Sequence, residues 1–324
     1  MIIKGLLKDD RGFALIITIM IISLIVPMTL EFNNSTLLYK VSSAHLKDGN
    51  VAASAAKSGY NFALALLYAD ASSSDFDSLH EQWADKVVLD SGAASMFEDA
   101  KCKVIVVDHS GRININSLID EEGVPNTAQI FMLRRFLESE EFELEEEVVG
   151  DIVNSILDWI DPDDDVTEEQ GYGAENSYYQ GLREPYACNN ATFGTLDELL
   201  LVKGITREIF SRIARYLTIF GDGMININTA DMLVIRSLSD GIDNETARAI
   251  IEYRNEEKND LSDIGWYQNV QGTGDASLDD LITISSTYFE IISTGLKGAA
   301  EKTVRVMVER EDQDELRVLS WKTG

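Results

Sequence analysis

The chain has 324 residues, of which 45% are apolar and 8% aromatic, so it is long and apolar enough to bury one large core or two smaller ones. Its formal net charge is −29. A surface this negative repels nucleic-acid phosphates and anionic lipid and attracts cations. Composition and charge therefore exclude a disordered chain and argue against a non-specific nucleic-acid binder.

The first predicted element is a membrane-spanning helix. Residues 13–30 are an uncharged run, and a helix of that length spans about 27 Å, close to the ~30 Å core of a bilayer. Lys4, Lys8 and Arg11 make the preceding residues net basic, which predicts that they remain cytoplasmic and that the chain after Glu31 lies outside. A cleaved secretory signal peptide and a plain uncleaved anchor are the alternative interpretations.

Apolar residues continue at helical spacing after the membrane segment. Few helix breakers intervene, although Pro27 lies inside the membrane part and favours a kink there. We therefore predict one continuous transmembrane and stalk helix over residues 13–70. Small residues dominate positions 52–56, which predicts that a neighbouring helix or sheet approaches closely.

Strand patterns occur on both sides of a long helical region. They are rich in β-branched residues or alternate with period two, and Gly or acidic turns separate them. The predicted strands are residues 101–108, 112–117, 287–294, 302–309 and 315–321. We expect one antiparallel sheet packed on the stalk helix, in a β domain formed by residues 71–118 and 285–324.

Residues 119–284 are mostly helical in pattern. Apolar residues between 149 and 160 form a helical stripe, and two helical hairpins are predicted to turn at Gly204 and Gly241. The predicted fold class is therefore α+β: a long N-terminal helix packed on an antiparallel sheet, with a large, mostly α-helical domain inserted between strands. Such an insertion requires only that its two ends lie close together.

A short motif, Gly-x-Ile-Asn-Ile-Asn-Ser/Thr, occurs at residues 111–117 and again at 223–229. Asn and Ser/Thr side chains hydrogen-bond to nearby backbone and start helices, so each copy is predicted to place an extended segment before a helix. Thr195 and Thr229 are predicted helix N-caps.

An acidic stretch suggests a metal site. Between residues 138 and 175 there are sixteen Asp and Glu and no Lys or Arg. Alternating carboxylates followed by a later Glu suit a hard cation with oxygen ligands, and calcium fits an extracytoplasmic compartment. The candidate ligands are Asp158, Asp161, Asp163, Asp165 and Glu175. The loop lacks the glycine and the closing Glu of an EF-hand, and a merely solvated acidic face is the alternative.

The helical hairpins resemble helix-hairpin-helix modules, some of which bind DNA phosphates through a Gly-apolar-Gly turn. Here both turns lack the second glycine, and Asp240 and Asp243 flank the second turn with charge that repels phosphate. Packing hairpins are the favoured interpretation, with no nucleic-acid partner. A membrane-anchored DNA-binding module of an uptake or type IV pilus system is kept as the alternative function.

No catalytic motif occurs in the sequence, so the chain is predicted not to be an enzyme. A periplasmic enzyme with an unrecognised site is a weaker alternative. Cys102 and Cys188 permit one disulfide or none, and they lack the spacing of a zinc or redox pair.

Several segments, in this order, resemble the K-type minor pseudopilin of bacterial type II secretion systems (general secretion pathway protein K). Arg11-Gly12-Phe13 before the apolar run resembles the leader of type IV prepilins and pseudopilins. The other matching segments are Asp108 to Asn116, Asp158 to Asp164, Tyr172 to Tyr179 and Ile225 to Ala230. The resemblance covers nearly the whole chain.

The resemblance implies a leader over residues 1–12, cut after Gly12 by a prepilin peptidase, and methylation of the new N-terminal Phe13. It also implies a single-pass inner-membrane protein with its C-terminal domain in the periplasm. Its partners would be the I-type and J-type minor pseudopilins at the tip of the pseudopilus, where the complex starts assembly and aids export of folded proteins. Most pilin relatives carry Glu at the fifth mature position, where this chain has Ile17, as expected for a tip subunit.

Overall fold

The computed structural model describes residues 10–94, 99–120, 122–274, 278, 280–312 and 315–324. Most of the predicted leader therefore lies outside the described residues. The helices are α1 (Asp10–Ala71), α2 (Lys86–Ala94), α3 (Thr127–Leu137), α4 (Glu146–Ile160), α5 (Asn176–Gln180), α6 (Arg207–Ile213), α7 (Met232–Ser237) and α8 (Asn244–Asn255). The strands are β1 (Lys101–Asp108), β2 (Ile113–Asn114), β3 (Leu217–Thr218), β4 (Ile225–Asn226), β5 (Ile282–Thr283), β6 (Tyr288–Lys297), β7 (Ala300–Asp312) and β8 (Glu315–Thr323).

Helix α1 confirms the predicted continuous stalk. It has 62 residues and continues through Pro27, so it extends about 93 Å at the usual rise per residue. Its N-terminal half is exposed along the whole apolar run, where no other part of the chain packs on it. By length and composition this half can cross a membrane.

The C-terminal half of α1 packs on a four-stranded antiparallel sheet with the strand order β1-β6-β7-β8. The predicted α+β architecture is thus confirmed. Helix and sheet come close because both surfaces carry small residues: a Cβ on Gly295 would lie 2.0 Å from the Ala52 carbonyl oxygen, and one on Gly59 would lie 2.4 Å from the Cys102 sulfur. Of the small residues predicted to allow this approach, Ala52, Ala55 and Ala56 are buried, whereas Ala53 and Ser54 face away and are exposed.

The helical part has a larger core of its own, and two short parallel strand pairs organise it. Strand β2 pairs with β3, and β4 pairs with β5. Each of the two Asn-containing motifs supplies the first strand of one pair. The helical part therefore consists of two successive units, each opening with a motif copy and closing with the strand that pairs with it.

The strand predicted over residues 112–117 is wrong after Asn114. Only Ile113 and Asn114 are extended, and a 3-10 helix, Ile115–Leu118, follows at once. The Asn114 side chain accepts a hydrogen bond from the backbone N–H of Asn116, which turns the chain. Asn226 does the same for Asn228 in the second copy.

The inserted domain is predicted to begin at residue 119, which places β2 and this 3-10 helix outside it. In the structure, however, β2 pairs with β3, which lies inside the insertion. The domain limits themselves stay a prediction. The sheet strand β1 ends at Asp108 and its neighbour β6 begins at Tyr288, so the insertion leaves and re-enters the sheet at one end.

Most of the predicted helical features occur. Helix α4 carries the apolar stripe, and Gly204 turns the first hairpin with a positive φ of 85°. The first arm of that hairpin is a 3-10 helix, Leu196–Leu201, and Thr195 caps it as predicted. Thr229 is not a helix cap, because Asp231 caps α7 in its place.

The two cysteines are free thiols. Cys102 is buried between α1 and the sheet, and the Cys188 thiol donates to the carbonyl of Asp158 in the helical part. They belong to different cores, so no disulfide joins the two parts of the molecule.

Candidate metal centre

Three of the five predicted ligands come together. One carboxylate oxygen from each of Asp158, Asp161 and Glu175 lies within 4.8 Å of the other two. We call these three residues the carboxylate trio. Oxygen ligands of a calcium ion lie 2.3–2.6 Å from it, so no two are more than about 5 Å apart. The trio therefore has the spacing of a calcium site.

Helix α4 and the loop after it position the trio. Asp158 lies in the last turn of α4 on its buried face, Asp161 is the C-cap of that helix, and Glu175 is the N-cap of α5. Trp159, between the two aspartates, packs edge-on against Tyr179 of α5. The apolar contact thus brings the two helix ends, and their carboxylates, to one place.

Polar contacts fix the loop to α4. The Asn154 amide donates to the carbonyls of Thr167 and Glu169, and Asp151 accepts from the N–H of Tyr172 at 2.8 Å. Lys203 then joins Asp151 (3.3 Å) to the Tyr172 carbonyl (2.7 Å). The loop is thus held to α4 at several points, which keeps Glu175 close to the two aspartates.

Two members of the trio are buried and Asp161 is half-buried, and all three are incompletely bonded. Asp158 and Glu175 are 0% and 1% exposed. Among the described residues, one oxygen of each trio member, Asp161 included, is buried with no hydrogen-bond partner. Buried carboxylates without a partner cost several kcal/mol each. A cation bound among them would remove that cost.

Electrostatics in the trio favour binding of protons or metal. Burial, followed by the charges of Asp163 and Asp158, raises the pKa of Asp161 to about 7. Burial, followed by Asp158 and Asp161, raises the pKa of Glu175 to about 7. Burial also raises the pKa of Asp158, against a hydrogen bond from Thr167. Near neutral pH the trio therefore holds protons that a divalent cation must displace.

A glycine keeps the trio open. A Cβ on Gly173 would lie 2.0 Å from Oδ2 of Asp158, the unpartnered oxygen of that residue. Any larger residue at position 173 would therefore occupy the space next to the trio. The donor set, three carboxylates and no nitrogen or sulfur ligand, suits a hard cation such as calcium.

The other two predicted ligands lie outside the trio. Asp163 and Asp165 are exposed, and Asp163 Oδ1 accepts a hydrogen bond from the N–H of Asp165 at 2.8 Å. Asn190 is a residue that the sequence did not support as a ligand. Its amide donates to the Asp163 carbonyl, and its buried Oδ1 has no partner among the described residues.

In both helical hairpins a side-chain cap occupies a backbone amide near the turn. Asp243 caps α8 and accepts a hydrogen bond from the N–H of Thr246 at 2.8 Å. In the first hairpin, Thr206 accepts from the N–H of Ile209. Each cap occupies one backbone amide at the start of the helix that follows the turn, and the lack of a nucleic-acid partner stays a prediction.

The predicted processing position lies near the start of α1. Gly12 has open space around it, and the Phe13 side chain is 68% exposed. Neither residue is covered by another described part of the chain. Cleavage after Gly12 stays a prediction.

Two family models, both described as type II secretion system protein K, match residues 111–222 and 225–285, which together make up more than half of the chain. The chain belongs to the protein K family of type II secretion systems. The two matched segments correspond to the two units of the helical part: the first contains β2 and β3, and the second contains β4 and β5.

Relatives and a solved structure agree with protein K membership. Type II secretion system protein K of Pseudomonas aeruginosa is 26% identical over 76% of this chain and 71% of its own length. Protein K of Aeromonas hydrophila is 24% identical over 87% of this chain and 88% of its own length. A chain from the crystal structure of the GspK-GspI-GspJ complex of enterotoxigenic Escherichia coli has a TM-score of 0.67 and 17% identity, over 90% of this chain and 99% of that one. Family and fold together make the chain a minor pseudopilin of type II secretion.

Proposed function

We propose that this minor pseudopilin caps the tip of the periplasmic pseudopilus. The observation that carries this is where the inserted domain is attached. It leaves the sheet at Asp108 and returns at Tyr288, and Arg310, beside that end of the sheet, forms an ion pair with Asp70 at the C-terminal end of α1. The insertion thus lies at the end of the stalk farthest from the membrane segment, where it would block a further subunit.

The membrane helix supports the same position. Ile17 stands where most pilin relatives have a Glu that meets the amine of the subunit ahead. An unpaired carboxylate inside a bilayer is costly, so a subunit with no neighbour ahead of it is better without one. The apolar half of α1 would anchor the chain in the inner membrane, with the rest in the periplasm.

The partners proposed for the tip are the I-type and J-type minor pseudopilins. The similar E. coli chain comes from a GspK-GspI-GspJ complex. With them, the protein would start fibre assembly and help export folded proteins across the outer membrane. This role is structural rather than catalytic.

Calcium is the proposed cofactor, with the carboxylate trio as its ligands and Asn190 as a further oxygen donor. The support is the set of buried, unpartnered oxygens at calcium spacing. The ion would brace the loop between α4 and α5 and so stiffen the first unit of the inserted domain.

The tip position is tested by electron microscopy of isolated pseudopili labelled with gold-conjugated antibody against residues 111–284. We expect label at one end of each fibre, because the insertion excludes a subunit above it. Antibody against the repeating major subunit serves as the control and should label the whole length. Label on the inserted domain along the whole fibre would contradict the tip position.

A further inference from the structure

A second group of acidic side chains lies where the stalk, the sheet and the inserted domain meet. One oxygen from each of Asp70, Asp77 and Glu81 lies within 4.8 Å of the other two. We call these residues the junction cluster. Asp70 is in the last turns of α1, and the other two are in the segment that follows it. They are half-buried or buried, with the Asp77 side chain only 2% exposed.

One guanidinium faces the junction cluster. Arg310 of β7 contacts Asp77 at 2.8 Å and Asp70 at 3.2 Å, and it also lies over the Phe289 ring. Glu81 accepts hydrogen bonds from the N–H of Ser78 and the indole of Trp83. Three carboxylates therefore stand against one fixed positive charge, which leaves an excess of negative charge in a poorly hydrated place.

The cluster is connected to the inserted domain by a chain of hydrogen bonds. Asp77 accepts from the N–H of Ser286 at 2.6 Å, and the Ser286 hydroxyl donates to Asp108 at 2.6 Å. From the inserted domain, Thr229 donates to Asp108 and the Asn226 amide donates to the Ser286 hydroxyl. The end of the stalk and the motif that opens the second unit thus share one polar network.

This arrangement differs from the carboxylate trio in a way that disfavours a metal ion. The trio has unpartnered carboxylate oxygens, whereas the two oxygens of Asp77 already bond to Arg310 and Ser286. A divalent cation placed among Asp70, Asp77 and Glu81 would also lie beside the Arg310 guanidinium and be repelled by it. A proton neutralises a carboxylate without that repulsion.

We propose that the junction cluster holds one shared proton at neutral pH, and that losing this proton loosens the joint between the stalk and the inserted domain. Like-charged carboxylates this close cannot all stay ionised without a large cost, which is the general reason that such groups share protons. The proton lets Asp70 and Asp77 both remain next to Arg310.

The ionisation of the cluster agrees with this. Burial, followed by the charges of Glu81 and Asp77, raises the pKa of Asp70 to about 7, against the opposing effect of Arg310. Burial likewise raises the pKa of Glu81. Burial raises the pKa of the neighbouring Asp108 to about 6, and Arg112 is the further charged group beside Asp108. Glu290 of β6 acts in turn on Arg112.

The sign of the pH effect follows from the raised pKa of Asp70. The folded joint binds the proton more tightly than an opened joint does, so the proton stabilises the folded joint. This stabilisation is complete below pH 4 and is lost as pH rises through about 7. For one proton with these pKa values, the opening equilibrium should rise about ten-fold between pH 6 and pH 8.

Hydrogen exchange of the full-length chain in detergent micelles with EDTA tests the proposal. The readout is the protection of two backbone amides from exchange. The Ser286 N–H donates to the Asp77 carboxylate, and the Asp77 N–H donates to the Ile284 carbonyl. After correction for the intrinsic exchange rate, protection in the natural protein should fall about ten-fold from pH 6 to pH 8. In Asp70→Asn, whose amide imitates the protonated carboxyl, it should change little.

The control is Asp75→Asn, which makes the same change at an exposed position in the same segment and should behave as the natural protein. An unchanged pH dependence in Asp70→Asn would overturn the proposal. It would also be overturned if calcium or magnesium at pH 8 restored protection in the natural protein but not in Asp70→Asn, because the cluster would then be a cation site. Neither result depends on the carboxylate trio or on the tip position.

Discussion

At the scale of single residues, the decisive feature is the set of carboxylate oxygens that the fold buries without a partner. Asp161 and Glu175 belong to that set, whereas Asp163, only two residues from Asp161, is exposed. Substitutions at Asp161 and Asp163 can therefore distinguish a ligand of the trio from a nearby acidic residue that is not one.

We expect calcium to raise the Tm of the natural protein, and Asp161→Asn or Glu175→Gln to abolish most of that rise. Each change removes one charged ligand from a buried set of three. Asp163→Asn is the matched control and should keep most of the rise, because its side chain lies outside the trio. Thermal melts with calcium and with EDTA measure this. Equal loss in Asp163→Asn and Asp161→Asn would contradict the assignment of the trio.

The pH dependence of the calcium effect follows from the raised pKa values. Asp161 and Glu175 both have a pKa of about 7 without metal, so their bound protons stabilise the metal-free protein at pH 5.5, and this contribution is lost as pH rises through 7. Calcium must displace these protons, so its stabilising effect should be small at pH 5.5 and large at pH 8. The difference in Tm between calcium and EDTA across this range is the measurement. A constant difference would show that calcium acts elsewhere.

The sequence predicted the trio but also two residues outside it. Asp158, Asp161 and Glu175 stand at the ends of helices whose apolar faces are evident in the sequence. Alternation also suggested Asp163 and Asp165, but the loop turns so that Asp163 caps the N–H of Asp165. The contribution proposed for Asn190 depends on its tertiary contact with the Asp163 carbonyl, which spacing along the chain does not reveal.

At the scale of secondary-structure elements, the close contact between α1 and the sheet depends on residues with no side chain or a very small one. The Gly295 position in β6 faces the backbone of α1 rather than a movable side chain, and a Cβ added there would lie only 2.0 Å from the Ala52 carbonyl oxygen. Helix and strand backbones cannot move apart here without separating neighbouring contacts along the sheet.

Gly295→Ala should therefore destabilise the protein by about 3 kcal/mol, as overpacking against rigid backbone does. Gly49→Ala is the control: it lies in the same helix–sheet region of the chain, in α1, but has open space around it. That change should be neutral or slightly stabilising, because Ala favours helix over Gly by up to about 1 kcal/mol. Chemical denaturation of both variants measures the difference. A Gly295→Ala protein as stable as the natural one would mean that the helix does not pack this closely on the sheet.

Elements with a strong local pattern were predictable and those defined by distant partners were not. The stalk helix, β1, the three C-terminal strands and the stripe of α4 each carry their own periodicity. The alternating residues 112–117 suggested a strand, yet only Ile113 and Asn114 pair, because their partner β3 is two residues long and lies about a hundred residues away. The alternation instead reflects the burial of Ile113 and Ile115 on either side of the Asn114 turn.

At the scale of the whole molecule, negative charge is concentrated in the inserted helical part rather than in the stalk and sheet. Residues 111–284 hold 36 of the 56 acidic residues but only 12 of the 27 basic ones. The acidic part is attached at the far end of the stalk, away from the membrane helix. At that distance, well beyond the roughly 8 Å Debye length at physiological ionic strength, repulsion from anionic lipid is screened, so the acidic surface acts mainly on nearby cations and partner proteins.

The proposed tip position requires that the apolar helix remain part of the mature protein, which the predicted processing after Gly12 would achieve. Gly12→Val should block removal of the leader, because a branched side chain replaces the glycine at the cleavage point in a position that is otherwise open. Intact-mass spectrometry of the natural protein should show a start at Phe13 with an added methyl group, and the variant should keep all twelve leader residues. Gly5→Val changes another leader glycine and should be processed normally. A mature start near Glu31 would remove the stalk's membrane half and with it the attachment on which the tip position depends.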